Sequence, residues 1–342
     1  MNRKNVIRNT LLIVCFLLAT TFYYLPYYVS KPGMAKELEP IVEVEGGYDE
    51  KGSFMLTTVR MGRANIYSYL MAKISKYQEI YTLNEIRGES ETDKEYNVRQ
   101  LYLMDSSKWA AIEVAYKKVN IPVDVRYKGV YVLNVVPGMP ADGKLLPADR
   151  IFKVDGSEFT SSAQFMNFVS QVKVGDSVVL TYDRNNVVNE VRVKVAEFKQ
   201  EENQGKVGIG IGLVDDKDLI VHPEVTVHSD EIGGPSAGFM FSLEIYNQLT
   251  KEDLTKGYKI AGTGTISSDG TVGKIGGIEQ KVVAADKAGA EIFFAPNGND
   301  EKDSNYQNAV LTAKDIHSNM EIVPINTFDE AIDYLEELDM KK

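Results

Sequence analysis

The chain has 342 residues with a single cysteine, 44% hydrophobic and 25% charged side chains, and a net charge of −11 from 38 basic and 49 acidic residues. Such a composition excludes wholesale disorder and collagen-like repeats. The lone cysteine excludes a disulfide framework or a cysteine-based zinc cluster, and the acidic balance argues against general nucleic-acid affinity.

Arg3, Lys4 and Arg8 are the only charged residues before Lys31, so 35 of the 38 basic and all 49 acidic side chains lie from Lys31 onward. Asn9 to Ser30 is uncharged, and Leu11–Leu18 is apolar on every face. As a helix this stretch spans about 33 Å, enough for a hydrocarbon core of ~30 Å. Basic residues on its N-terminal side alone place that end in the cytoplasm, with Tyr23, Tyr24, Tyr27 and Tyr28 as an aromatic belt at the outer interface. The competing reading is a cleaved signal peptide, but no small-x-small cleavage site follows the apolar run. The expectation is a cytoplasmic tail at 1–9, a transmembrane helix at 10–29 and an extracellular remainder at the cell membrane.

Residues 30–117 are expected to form an exported α/β segment. Ser53–Val59 reads as a strand and Ile66–Ile80 has helical spacing. Arg87–Asn97 is polar and reads as an exposed loop. Asp105-Ser106 is positioned to cap a helix with an apolar face of Trp109, Ile112, Tyr116 and Val119, ending before Pro122. No catalytic constellation is visible in this segment.

Residues 118–198 alternate short strands with turns. Gly129–Val136 is a strand after a glycine, Pro137–Gly143 a turn-rich loop, and Asp149–Gly156 a strand ending in Asp-Gly. Ser161–Val172 follows as a short amphipathic helix, and Ser177–Tyr182 and Val188–Val195 form a closing hairpin. This order resembles a PDZ domain, with Ala148-Asp149 where Gly-Asp is usual. The resemblance implies that an extended peptide adds as a strand beside Val130–Asn134, against the helix. Gly129, Val130, Tyr131 and Val132 would then be peptide-binding, the Lys128–Tyr131 turn receiving a terminal carboxylate. The competing reading is a β-domain that only packs.

Residues 199–206 are polar and read as a linker, and 207–342 alternate strand and helix patterns. Two motifs stand out there. Gly233-Gly234-Pro235-Ser236-Ala237-Gly238 precedes a run apolar on most faces, so Ser236 lies at the N-terminus of a buried helix. N–H groups and the positive end of the dipole can meet an oxyanion there; simple helix initiation is the alternative. In Gly276–Ala288, a helical wheel puts Lys281 amid Ile278, Ala284, Ala285 and Ala288, away from Glu279, Asp286 and Lys287. Burial on that face lowers the ammonium pKa as a general base requires, and snorkelling along an apolar face is the alternative.

Together the motifs resemble the proteolytic domain of Lon, in which a lysine serves the serine nucleophile. Gly234-Pro235-Ser236-Ala237-Gly238 matches the family's serine motif, and Ile275–Ala285 matches its lysine helix. Thr263–Val272 matches an intervening segment in outline, and by that match Ser267 takes the place of a hydroxyl that supports the lysine. Thr265 and Gly233 replace acidic residues of the family pattern. An anchor, a PDZ domain and this domain in one chain resemble the YlbL-type secreted Lon-like proteases of Gram-positive bacteria.

The resemblance implies an α+β, multi-domain protein: an N-terminal transmembrane helix, a PDZ-like β-domain and a C-terminal Lon-type α/β proteolytic domain. It also implies a serine endopeptidase with Ser236 and Lys281 catalytic, and Ser267, Gly234, Pro235 and Ala237 supporting. Gly-Lys is nowhere followed by Ser or Thr as a phosphate-binding loop needs, so an ATP-independent enzyme is expected. No cofactor or metal is expected. The expected partners are peptides or unfolded proteins, the membrane, and a second copy in a homo-oligomer, with no nucleic acid. A nucleophile elbow at 234–238 would need an acid and then a histidine downstream, where only His317 is found. A PDZ-based adaptor with an inactive protease domain is the alternative function.

Overall fold

The computed structural model describes residues 3–87, 91–198, 205–229, 232–298 and 304–341; positions 199–204 of the expected linker lie outside them. One helix among the described residues, Arg3–Phe22, is long and apolar enough to cross a membrane, a test that a signal sequence also passes. The expected span ran to residue 29, but the chain enters a strand, Tyr24–Glu37, directly after the helix. Tyr23 and Tyr24 are exposed as expected of interface residues, and Tyr27 and Tyr28 are not. Tyr28 is buried and its hydroxyl donates to the Asp93 carboxylate, while Tyr27 lies against Tyr69 with ring centroids 5.2 Å apart. Strand pairing explains the difference: Tyr27–Ser30 align with Glu79–Thr82, which satisfies backbone groups that a helix would have paired internally.

A six-stranded sheet has the order Glu321–Ile325, Ile292–Pro296, Lys259–Gly262, Ser53–Asn65, Tyr24–Glu37, Glu79–Thr82. The first four strands are parallel to one another, and Tyr24–Glu37 runs antiparallel to both of its neighbours. Strands from 24–82 and from 259–325 therefore build one sheet.

Covered parallel strands bury both faces, and Ile292–Pro296, reading Ile-Phe-Phe-Ala-Pro, is buried throughout. Alternation sorts the residues to two cores. Phe54, Leu56, Ile260 and Phe294 pack with Phe239, Phe241 and Leu243 of the helix Gly238–Leu249. Met55, Ala261, Phe293 and Ala295 pack on the other face with Ile278, Val282 and Ala285 of the helix Ile278–Lys287. The two motif-bearing helices thus cover opposite faces of the same strands.

Helix boundaries in the N-terminal part differ from the expected ones. One helix is Ile66–Ile74, followed by the strand Glu79–Thr82. A long helix, Asp93–Lys118, occupies half of the expected loop and places Asp105-Ser106 in its interior. Its start is fixed by Thr92 and Glu95: the Glu95 N–H donates to Thr92 Oγ1 at 3.2 Å and the Thr92 N–H to Glu95 Oε2 at 2.7 Å. This Thr-x-x-Glu capping box overrides the weaker signal at Asp105.

The second sheet has the order Ile211–Ile220, Asp124–Val135, Arg150–Val154, Ser177–Arg184, Val187–Lys194. Phe165 and Val169 of the helix Ser162–Ser170 close its core over Val130, Val132, Ile151 and Leu180. Asp149 is 1% exposed and accepts from Arg184 Nε and Nη2, both at 2.6 Å. The preceding Ala148 has φ 76°, a left-handed conformation that costs an L side chain roughly 1–2 kcal/mol. Glycine relieves that strain and loses part of the gain to its larger unfolded-state entropy. Ala148→Gly is therefore expected to stabilise the chain by about 1 kcal/mol. A rise in the urea midpoint with unchanged slope would show it.

Candidate active site

Ser236 sits in a single 3-10 turn, Pro235–Ala237, that runs into the buried helix Gly238–Leu249. Gly234 enters the turn at φ 86°, where a side chain would be strained. The long helix holds this segment from one side: the Gly234 N–H donates to Gln100 O at 2.8 Å, and Ser107 Oγ donates to Pro235 O at 2.8 Å. Ala237 is buried behind the serine. The three residues flanking Ser236 thus fix its backbone at the positive end of a helix dipole.

Lys281 lies in the first turn of Ile278–Lys287 and is 3% exposed. Its Nζ reaches Ser236 Oγ at 2.9 Å, Thr57 O at 2.9 Å and Thr263 Oγ1 at 3.0 Å. No carboxylate forms an ion pair with it among the described residues. Burial alone pulls its pKa down from 10.5 to about 7.

The hydrogen bonds around it have a consistent direction. Thr263 Oγ1 donates to Ser236 O at 3.0 Å, so its lone pairs are left to accept from Lys281. The Gly264 N–H donates to the same Ser236 carbonyl at 2.9 Å. A neutral amine has two N–H groups and one lone pair. Thr57 O and Thr263 Oγ1 can take the two N–H groups, which aims the lone pair at the Ser236 hydroxyl. These groups meet just past the paired stretch of Ser53–Leu56 with Lys259–Gly262, between the two helices. A cleft of about 1050 Å³ opens over Ser236 and Lys281.

Ser267 does not support Lys281. It is exposed in a turn beyond the short strand Thr265–Ile266, where its N–H donates to Thr271 O at 3.0 Å. The hydroxyl at the lysine is that of Thr263, at the start of the same motif segment. Thr57 escaped the sequence reading altogether, because it contributes a backbone carbonyl that no side-chain pattern announces.

The expected peptide site of the β-domain is also corrected. Val130 and Tyr131 pair with Ile151 and Arg150 on one side, and residues 129–135 pair with Ile211–Asp216 on the other. Val130–Val132 are thus paired on both sides, which leaves no open edge for a strand there. Tyr131 stacks on Tyr102 of the long helix with centroids 4.2 Å apart, and Val130 and Val132 are core residues. The edge strand flanking the helix is Ile211–Ile220, tied to it by the Ser162 N–H, which donates to Asp215 Oδ1 at 3.0 Å. The alternation Gly208-Ile209-Gly210-Ile211-Gly212 was the signal for this edge, obscured because it lies beyond the polar linker.

Residues 115–195 match the family model of the PDZ domain. A Lon protease of Campylobacter jejuni is 28% identical over 199 residues, covering 54% of this chain and 24% of the relative. A Lon protease of Endomicrobium trichonymphae is 29% identical over 158 residues, covering 46% of this chain and 18% of the relative. The crystal structure of the PDZ domain of an SdrC-like protein from Listeria monocytogenes is 34% identical, covering 27% of this chain and 93% of that chain with a TM-score of 0.25. The chain spans about a quarter or less of the length of these Lon proteases. The chain thus contains a PDZ domain and is similar over part of its length to Lon proteases.

Proposed function

We propose that the chain is a membrane-anchored, ATP-independent serine endopeptidase with a Ser236/Lys281 dyad. The observation that carries this reading is a buried lysine without a carboxylate partner among the described residues, 2.9 Å from a serine hydroxyl at a helix N-terminus. Neutral Lys281 accepts the Ser236 proton as Oγ adds to the scissile carbonyl. Backbone N–H groups at the turn Pro235–Ala237 stabilise the resulting oxyanion. Collapse of the tetrahedral species breaks the C–N bond, and the lysine ammonium returns its proton to the leaving amine. Water then adds to the acyl-enzyme, giving its proton to Lys281, and Ser236 is released reprotonated.

The helix Arg3–Phe22 serves as a single-pass anchor with Arg3, Lys4 and Arg8 on the cytoplasmic side and the site outside. Their long side chains can reach the interface from within the helix. The PDZ domain captures an extended peptide along Ile211–Asp216, beside the helix Ser162–Ser170.

The test uses the full chain in detergent micelles with an unstructured protein substrate and no nucleotide. Ser236-dependent cleavage is the expected result, and cleavage that requires ATP and a partner would refute the motor-free reading. A soluble form should begin at Tyr23 rather than Lys31, because Tyr24–Ser30 belong to the central sheet.

Thr263→Val separates positioning from catalysis. It removes an acceptor that favours the ammonium, so the apparent pKa of the kcat/KM profile should fall below about 7. It also removes the hydroxyl that steadies the Ser236 carbonyl, and kcat is expected to drop about 10- to 100-fold. Thr263→Ser should restore both; a profile that does not move in either variant removes Thr263 from the lysine's surroundings.

A further inference from the structure

We propose that the cleft over Ser236 selects polypeptide segments with acidic side chains flanking the bond to be cut. This rests on the peptidase reading and assigns its substrate class. Among the described residues, the charged ones that line the cleft, apart from Lys281, are Lys31, Lys36, Arg60, Lys274 and Lys287, with no Asp or Glu. That is the reverse of the chain as a whole, in which 49 acidic residues outnumber 38 basic ones. A solvated face of this protein would be expected to carry more acids than bases.

None of the five cations forms an ion pair among the described residues, whereas Lys76, Lys118, Lys217 and Lys341 elsewhere on the surface each have a carboxylate partner. Glu37, the neighbour of Lys36, turns instead to Lys259 at 3.7 Å. Lys31 and Lys36 are five residues apart, so a regular strand would point them to opposite faces. The register shifts between Pro32 and Ala35, where Gly33 and Met34 oppose Thr58 alone, and this bulge brings both to the cleft.

Unpaired cations in a concave site focus the field and raise the local concentration of an anionic ligand. They also repel one another until a ligand supplies the carboxylates. A polypeptide passing Ser236 runs between Lys31, Lys36 and Arg60 of the paired strands Tyr24–Glu37 and Ser53–Asn65 and Lys274 and Lys287 before and at the end of the lysine helix. Acidic side chains on it meet cations on both sides of the scissile bond.

The experiment uses the full chain in nonionic detergent micelles and three peptides of one sequence, with Asp, Asn or Lys at the positions flanking the cleavage site. The Asp peptide is expected to show kcat/KM at least about tenfold above the Asn peptide and further above the Lys peptide. The preference should shrink in 1 M salt, where the screening length is about 3 Å. A Lys36→Glu/Arg60→Glu variant should invert the order of the Asp and Lys peptides.

Equal rates for the three peptides, with cleavage still dependent on Ser236, would overturn charge selection and leave the peptidase standing. If none is cut, anisotropy of labelled peptides on Ser236→Ala decides: tighter binding of the Asp peptide keeps the selection and rejects the peptidase, and equal binding rejects both. If the charge reversal abolishes binding to phosphatidylserine vesicles and leaves the peptide order unchanged, the cations serve a membrane surface and the proposal falls.

Discussion

Ser236→Ala and Lys281→Met are each expected to lower kcat/KM toward an unstructured protein by at least about 10³-fold, and the double variant should be no worse than either. Groups that act as one unit are non-additive, and here the proposed nucleophile and base are 2.9 Å apart, with no second base in contact among the described residues. The pH profile gives the sharper check. A lysine at its ordinary pKa of about 10.4 is neutral in roughly one molecule in 10³ at pH 7. With burial holding it near 7, about half the molecules carry the free amine. Activity should therefore rise with pH and level off above about 7.

The same shift has a stability signature of defined sign. Between pH of about 7 and 10.5 the unfolded lysine binds a proton that the folded one has released, so stability rises with pH across that window. Lys281→Met, which has no proton to lose, should flatten this slope and lose no stability at pH 6. Activity lost together with a flattened slope identifies the buried amine as the base. Retention of wild-type cleavage in either single variant would sink the dyad.

The surroundings of Ser236 and Lys281, on which the proposed chemistry rests, were legible because they are written locally. Gly-Pro-Ser before an all-apolar run announces a helix N-terminus, and one lysine on a face of isoleucine and alanine announces burial. What surrounds them was not local. Thr57 lies 224 positions from Lys281 and is brought to it by the parallel pairing of Ser53–Leu56 with Lys259–Gly262. Strand alternation gives the faces of such a pair and says nothing of its partner or register. The same limit applies to the β-domain: Val130–Asn134 reads equally well as an edge or an inner strand, and only its pairing with Ile211–Ile220, some 80 residues on, decides it. Ser267 was misread for a different reason, since a motif matched in outline fixes a segment and leaves the direction of each hydroxyl open.

Phe294→Ala is expected to cost about 3–5 kcal/mol, the usual range for a buried phenylalanine, and to lower the melting midpoint by roughly 10 °C. Phe294 is fully buried and meets Phe239 edge-on at 5.9 Å and Tyr334 at 5.6 Å, which joins the serine helix and the C-terminal helix Phe328–Glu337 to the sheet. Little room exists for collapse around the lost ring. A Cβ on Gly262 would already lie 2.5 Å from Met240 Sδ and 3.1 Å from Phe294 Cβ. The carbonyl of Phe294 accepts from the Thr263 N–H at 3.2 Å, so the residue also sets the hydroxyl that faces Lys281. Phe293, one position earlier, lies on the opposite face against Val282 and Ala285. Loosening the serine face alone changes the Ser236–Lys281 separation without exposing the lysine. Phe294→Ala should accordingly reduce kcat while leaving the apparent pKa near 7, and Phe294→Leu should recover most of the stability by refilling the space. Thermal scans and a pH–rate profile of the two variants check this together. A variant that keeps the wild-type midpoint would mean that the contact between helix and sheet is not what holds the serine in place.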